Sequence, residues 1–265
     1  MEEKIGLFVS RSVFSDVAYN ELRSMGFIPV VFSFETKLGY PDEIIVDFGD
    51  IESFTGHIAR YQIRKFVFAG KIDPSSLFKS RISDSGRKFL EKIRDFAPEN
   101  ILRRLTDFFL EKNIELIPLT EVFRRHLAKT KIYTELRPDF DQWQDICVGW
   151  KVAKAVARYG IGQAVAIKHR MVIAVEAIEG TDNMIKRAGN FCKDFSVIKV
   201  IKSGQDVRFD LPTIGPDTVR NLAHAGGKVI AVESNRSVIL EQQNTKKIAD
   251  ENHIIVLGFK GKEIR

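Results

Sequence analysis

A chain of 265 residues with 44% hydrophobic side chains can bury a sizeable core without staples, and its 29% charged residues are mixed in sign rather than blocky, which excludes a disordered or disulfide-scaffolded class. Its two cysteines, Cys147 and Cys192, lie far apart and form no CxxC, so a zinc ribbon and a dithiol redox site are excluded and a reducing compartment fits. Five of the six net positive charges fall after residue 130, spread thinly and without interleaved aromatics, so nucleic acid is not an expected partner.

The opening MEEKIGLFVSRS places acidic residues before a short strand-like run and does not read as a signal peptide. No stretch reaches 18 consecutive apolar residues, and a cytoplasmic protein is expected. In the first third, β-rich runs at 4–9, 29–34, 43–48 and 65–70 alternate with helical patterns at 16–26 and 51–63. Helices at 83–96 and 99–113 and a strand at 114–119 follow. Such alternation favours parallel strands joined by crossover helices, hence a Rossmann-like first domain over residues 1–130. Residues 125–140 lack a clear period, and a linker is expected at 131–141.

From 142 a long helical pattern runs to Gly160. A hairpin around Lys168–Arg170 joins AVAIKHR to MVIAVEAI, and strands at 195–202, 228–234, 237–241 and 253–259 are interspersed with helices at 181–191, 216–226 and 245–252. The fold class predicted is α/β in two domains: a Rossmann-like parallel sheet, then a mixed-sheet α/β domain over 142–265.

Candidate chemistry gathers at four places. The first strand–helix junction offers Ser10, Arg11, Ser12 and Ser15 near a helix N-terminus, where they either meet phosphate or simply cap the helix. Gly70 and Lys71 end another strand, and the two loops are expected to face one crevice. In the second domain Glu179, Gly180, Thr181 and Asp182 turn from strand into helix, exposing backbone N–H groups and two carboxylates, with Thr181 or Asp182 as a plain N-cap the alternative. Finally, Lys202, Asp206, Arg208 and Asp210 precede Pro212, Thr213 and Gly215. On a strand, Asp206, Arg208 and Asp210 share one face, suited to a divalent cation and phosphate or, alternatively, to a surface ion-pair ladder. No GxSxG occurs, the five histidines have no metal-ligand spacing, and nucleophilic triads are not supported.

IGQAVAIK (161–168), AVEAIEGTD with MIKRAG (174–189) and KSGQDVRFDLPTIGPDTV (202–219) together resemble the LpxI family, and the resemblance continues through KVIAVESNRSVIL to HIIVLGF. IGLFVS, KFVFAG and KIDPSSLF resemble the family's amino-terminal half more weakly. Ser10-Arg11-Ser12 stands where the family has a glycine-rich loop, and Ala97-Pro98-Glu99 where it has Gly-Asp-Asp. The resemblance implies Mg²⁺-assisted cleavage of UDP-2,3-diacylglucosamine to UMP and 2,3-diacylglucosamine 1-phosphate, a step of lipid A assembly. The expected partner is then a nucleotide-sugar lipid, with peripheral contact at the inner membrane surface and a homodimer left open. Asp210 becomes the expected catalytic residue, with Asp206 and Asp210 as metal ligands. Ser10, Ser12, Gly70, Lys71, Glu179, Gly180, Thr181, Asp182, Arg187, Lys202, Arg208, Thr213 and Gly215 become the expected substrate contacts. A nucleotide-sugar binding protein that keeps the fold without turnover is the alternative.

Overall fold

The computed structural model describes residues 3–34, 37–47, 49–70, 83–91 and 98–261, which divide into two compact units. The first comprises residues up to Val122 together with Val207–Asp210, and the second comprises Phe123–Asp206 and the chain from Leu211 onward.

In the first unit β1 (Glu3–Val9), β2 (Phe27–Ser33), β3 (Ile44–Ile45), β4 (Lys65–Ala69) and β5 (Glu115–Leu116) form one sheet in the order 3-2-1-4-5. Every pairing in it is parallel. That order reverses direction between β1 and β4, the place where doubly wound sheets take ligands. Crossovers carry α1 (Val13–Ser24), α2 (Ile51–Tyr61), α3 (Asp84–Leu90) and α4 (Pro98–Glu111), and the short α5 (Leu119–Val122) follows β5. One sheet face is aromatic. Phe8, Phe32, Phe66 and Phe68 meet Phe89, Phe108 and Phe109, with Phe66 and Phe109 ring centroids 4.9 Å apart. Gly6 makes room for this layer, because a Cβ there would fall 2.2 Å from the Phe66 ring.

The strand expected over 43–48 contracts to two paired residues. The Glu43 carboxylate accepts from Ser33 Oγ (2.7 Å) and Leu38 N (2.7 Å), so it ties the incoming loop to β2. Phe48, Lys71 through Ser76 and Ala97 lie outside the described residues, so all of the 70–76 loop except Gly70 and part of the Ala97-Pro98-Glu99 motif do too.

In the second unit α6 (Phe140–Arg158) leads into β6 (Ala164–Lys168) and β7 (Met171–Val175), then α7 (Thr181–Gly189), β8 (Ser196–Lys199) and β9 (Thr213–Ile214). α8 (Pro216–Ala225), β10 (Val229–Glu233), β11 (Val238–Ile239), α9 (Gln242–Glu251) and β12 (Ile255–Phe259) complete it. The main sheet runs β12-β10-β8-β6-β7, with β8, β10 and β12 parallel and β6 antiparallel to both neighbours. β9 and β11 pair separately.

Strict alternation divides the strands between two cores. Ala164, Ala166, Val197, Ile230, Val232 and Val256 pack under α7, α8 and α9, whereas Val165, Ile167, Ile198, Ala231 and Leu257 pack under α6. Gly149 lets α6 approach closely, since a Cβ there would sit 2.5 Å from Ile198 Cδ1. Helix α6 begins two residues before its expected start, because Asp139 and Gln142 form a capping box: Gln142 N donates to Asp139 Oδ1 (2.8 Å) and Asp139 N to Gln142 Oε1 (3.0 Å).

The stretch expected as a linker at 131–141 is instead secured to the second unit. Ile132 bridges Leu257, Tyr133 N donates to Val256 O (2.8 Å), and Val256 N donates to Thr134 Oγ1 (3.1 Å). Its missing periodicity reflects backbone hydrogen bonding to a sheet edge by an irregular segment, which leaves no trace in the spacing of apolar residues.

Candidate functional site

In the first unit the loop after β1 and the end of β4 meet at the topological switch. A Cβ on Gly70 would lie 2.6 Å from Ser10 N, so a glycine is required for that approach. The serines hold the loop: Ser12 caps α1 by accepting from Ser15 N (3.2 Å), Ser15 Oγ donates to Ala69 O (2.6 Å), and Ser10 N donates to Ser15 Oγ (3.1 Å). Ser12 therefore performs the capping role, and the buried Ser15 ties β1 to β4.

In the second unit β7, β8, β10 and β12 end on one edge of the sheet, and the candidate loops emerge there. After β7 the chain enters Glu176, which is buried and was not singled out by the sequence reading. Its carboxylate accepts from Gln163 N (3.1 Å) and Thr181 Oγ1 (2.9 Å), clamping the 177–181 loop to the start of β6. Gln163 O in turn accepts from Val200 N (2.9 Å), so the ends of β7 and β8 are linked through one residue. Gly162 backs this clamp, because a Cβ there would fall 2.0 Å from Glu176 O. The sequence signal was present as a second acid at the strand end in AVEAIEG, overshadowed by Glu179 beside the glycine.

Glu179 is paired with Arg187, whose guanidinium also donates to Val175 O (2.8 Å). The hydrogen bond from Arg187 holds the Glu179 carboxyl below its ordinary value. Thr181 and Asp182 are not the helix cap. Gly180 is, at φ 79°, with no side chain capping α7, and Thr181 turns to Glu176. Asp182 is exposed. The pair of carboxylates expected around the glycine thus divides into one bound in an ion pair and one facing solvent.

The 202–215 segment contains no strand before Thr213. Residues 207–209 form a turn, so the strand on which Asp206, Arg208 and Asp210 would share one face does not form. The apolar positions explain the difference: Phe209 packs on Phe68 with centroids 5.1 Å apart, and Leu119 N donates to Val207 O (2.8 Å), which fixes 207–210 in the first unit. Downstream the chain is rigid. Val238 N donates to Pro212 O (2.8 Å), Leu240 N to Ile214 O (2.9 Å) and Thr213 Oγ1 to Leu211 O (2.9 Å). Lys199, buried on β8 within an apolar run, donates from Nζ to Thr213 O (2.9 Å). This lysine positions the segment and was hidden in the strand pattern. Gly215 caps α8 without a side-chain cap, as Gly180 does for α7.

The structure therefore brings Glu179, Gly180, Thr181, Asp182, Arg187 and Lys202 to the carboxyl edge of the second sheet, with Thr213 and Gly215 held to β8 through Lys199. It brings Ser10 and Gly70 together at the switch of the first sheet. Among the described residues, no three His, Cys, Asp or Glu side chains cluster as metal ligands, and no helix is long and apolar enough to cross a membrane.

Two α/β units, one all-parallel and one mixed, with glycine-capped helices following strands of the second, define the class of enzyme-like fold to which the chain conforms. Residues 13–126 match the LpxI N-terminal domain and residues 129–257 the LpxI C-terminal domain, and the chain belongs to the LpxI family. It is 26% identical over 226 residues, 81% of this chain and 76% of the relative, to the UDP-2,3-diacylglucosamine pyrophosphatase LpxI of Caulobacter vibrioides.

Proposed function

We propose that this chain hydrolyses the pyrophosphate of UDP-2,3-diacylglucosamine, releasing UMP and 2,3-diacylglucosamine 1-phosphate for lipid A synthesis. The observation that carries the reading is the family match across both units, joined to a DLPTIG segment that backbone pairing and Lys199 hold in place. In this reaction a water oxygen bonds to one phosphorus, the anhydride P–O bond breaks, and the departing phosphate takes the electron pair while the water proton is lost to base or solvent. Charge neutralisation and orientation dominate such a transfer.

Asp210 would orient the water or share a metal ion with Asp206. Mg²⁺ commonly takes only one or two protein carboxylates and draws its other ligands from substrate phosphates and water, so the ion needs no larger acidic set than Asp210, with or without Asp206. Bound there, Mg²⁺ would supply charge stabilisation to the phosphate oxygens. Lys202 and Arg208 would bind phosphate, and the uncapped N-termini of α7 and α8 point backbone N–H groups in the sense that favours anions. The basic excess of the second half would favour contact with an anionic membrane carrying the acylated substrate.

The test is UMP release from UDP-2,3-diacylglucosamine with Mg²⁺ and with chelator. Asp210→Asn should lower turnover by at least about 10²-fold, the lower range for a positioned acid–base group, while substrate binding persists. Turnover at the parent rate by a folded Asp210→Asn protein removes Asp210 from the mechanism. Tight substrate binding by the parent without any UMP release establishes the binding-protein alternative.

A further inference from the structure

The second unit contains a cleft of about 400 Å³ whose lining includes Lys154, Arg158, Lys202, Gln205, Glu233 and Arg236. Its size falls within the range of small-molecule sites, and it opens beside the ends of β8 and β10, where open α/β sheets place ligands. The lining is strongly unbalanced in charge: four cations face one carboxylate. Lys154 Nζ is paired with Glu233 Oε2 (2.6 Å), whereas Arg158, Lys202 and Arg236 make no salt bridge among the described residues.

We propose that this cleft is a binding site for the phosphate of a nucleotide or sugar phosphate, with Arg158 and Arg236 as recognition residues beside Lys202. The identity of its natural occupant, the UMP or the sugar 1-phosphate portion of the substrate, rests on the reaction proposed above; its affinity for phosphate does not.

Three elements frame the site, and each is held. Lys154 and Arg158 stand four residues apart on α6, hence on one helical face. Glu233 accepts from Lys154 Nζ and from Ile201 N (3.0 Å), joining α6, the end of β8 and the end of β10. The single carboxylate therefore braces the cleft and neutralises one cation, leaving a net lining charge of three. The 202–205 turn is closed by Gln205 N to Lys202 O (3.2 Å) and Lys202 N to Gln205 Oε1 (3.0 Å), and Gly204 adopts φ 76°, which favours glycine. Arg236 sits on the turn after β10, where Ser234 N donates to Phe259 O (2.9 Å) and Asn235 N to Ala128 O (2.7 Å). Three cations outside any salt bridge, on braced elements around a polar cleft, suit a dianionic phosphate, because planar guanidinium groups can each give two parallel hydrogen bonds to it.

The experiment titrates the full chain with inorganic pyrophosphate, UMP and glucosamine 1-phosphate by calorimetry. It compares the parent, the double variant Arg158→Gln/Arg236→Gln, and Arg220→Gln, whose arginine is exposed and paired with Asp217 at 2.7 Å outside the cleft. At least one phosphate probe should bind with an affinity that falls as salt rises. The double variant should weaken it by at least about tenfold, as expected from losing two charged hydrogen-bonding partners in a hydrated cleft. Arg220→Gln should bind as the parent does, and melting curves should coincide. Stronger binding of UMP assigns the nucleotide portion, and stronger binding of glucosamine 1-phosphate assigns the sugar phosphate portion.

Absence of binding by all three probes, or equal binding by parent and double variant, overturns the proposal. Binding confined to phosphatidylglycerol vesicles overturns it in favour of a membrane surface. The turnover assay separates this proposal from the reaction: phosphate bound in the cleft by a parent that releases no UMP leaves the site standing and the reaction refuted. In an active parent, the double variant should raise KM at least as much as it weakens the probe, and an unchanged KM overturns substrate docking in the cleft.

Discussion

Removing the Glu176 carboxylate tests whether one buried acid holds the loop that carries Glu179 through Asp182. Glu176 is 6% exposed and accepts from Gln163 N at 3.1 Å and Thr181 Oγ1 at 2.9 Å. Hydrogen bonds to a charged group contribute about 1.5–3 kcal/mol each, and the two donors here are only partly buried, so water can recover part of that loss. Glu176→Ala should therefore destabilise the second unit by about 3 kcal/mol, and Glu176→Gln, which keeps one acceptor oxygen, by about half as much. For a unit of this size, about 3 kcal/mol lowers the melting midpoint by roughly 10 °C. Differential scanning calorimetry of the whole chain reads the shift, with the two units analysed as separate transitions where they melt separately. Hydrogen exchange at the Gln163 amide, which donates to the Glu176 carboxylate, should accelerate in parallel. A Glu176→Ala protein that melts within about 1 °C of the parent, a difference too small for a lost buried charge, would refute the clamp.

Other outcomes follow from neighbouring contacts. Gly162→Ala would place a Cβ 2.0 Å from Glu176 O, a backbone atom, so the variant should lose about 1–3 kcal/mol through overpacking and melt measurably earlier. Asp145, 3% exposed, accepts from Arg170 N (2.6 Å) and His169 N (3.2 Å) in a turn where both residues have positive φ; Asp145→Ala should cost about 2 kcal/mol in a denaturant titration, and Asp145→Asn less. Because Arg187 depresses the Glu179 carboxyl in the folded state, the stabilising contribution of that pair is complete above the ordinary glutamate value of 4.5 and is lost as pH falls through the depressed folded value. Arg187→Gln should move the Glu179 carboxyl titration, followed by NMR, upward toward 4.5; an unmoved midpoint would show that the pair does not set it.

Sequence pattern carried far in this chain because most elements bury one face against a sheet. The strands over 65–69, 164–168, 229–233 and 255–259 and the helices over 181–189 and 216–225 stand where apolar spacing and glycine stops place them, within a few residues. The parallel character of the first sheet also followed from alternation of strand and helix, since parallel neighbours need a crossover between them. The family was legible for a related reason: EGTD, KRAG and DLPTIG combine glycines, prolines and acids in an order that chain geometry tolerates in few ways.

What tertiary structure alone decided is where side chains of mixed character spend their polar groups. Nothing local distinguishes Glu176, which is buried as a clamp, from Glu179, which is paired with Arg187 beside solvent; the difference lies in Gln163 and Thr181 reaching one and not the other. Lys199 reads as one position of an apolar strand until β9 places the Thr213 carbonyl beside its ammonium. On a strand Asp206, Arg208 and Asp210 would share one face, but Phe209 docks on Phe68 and residues 207–209 form a turn. Arg158 and Arg236, 78 positions apart in sequence, line one cleft only because α6 packs beneath β8 and β10. Local spacing records which face a residue shows to its own element. Contacts between distant elements depend on how those elements pack, and no periodicity along the chain encodes them.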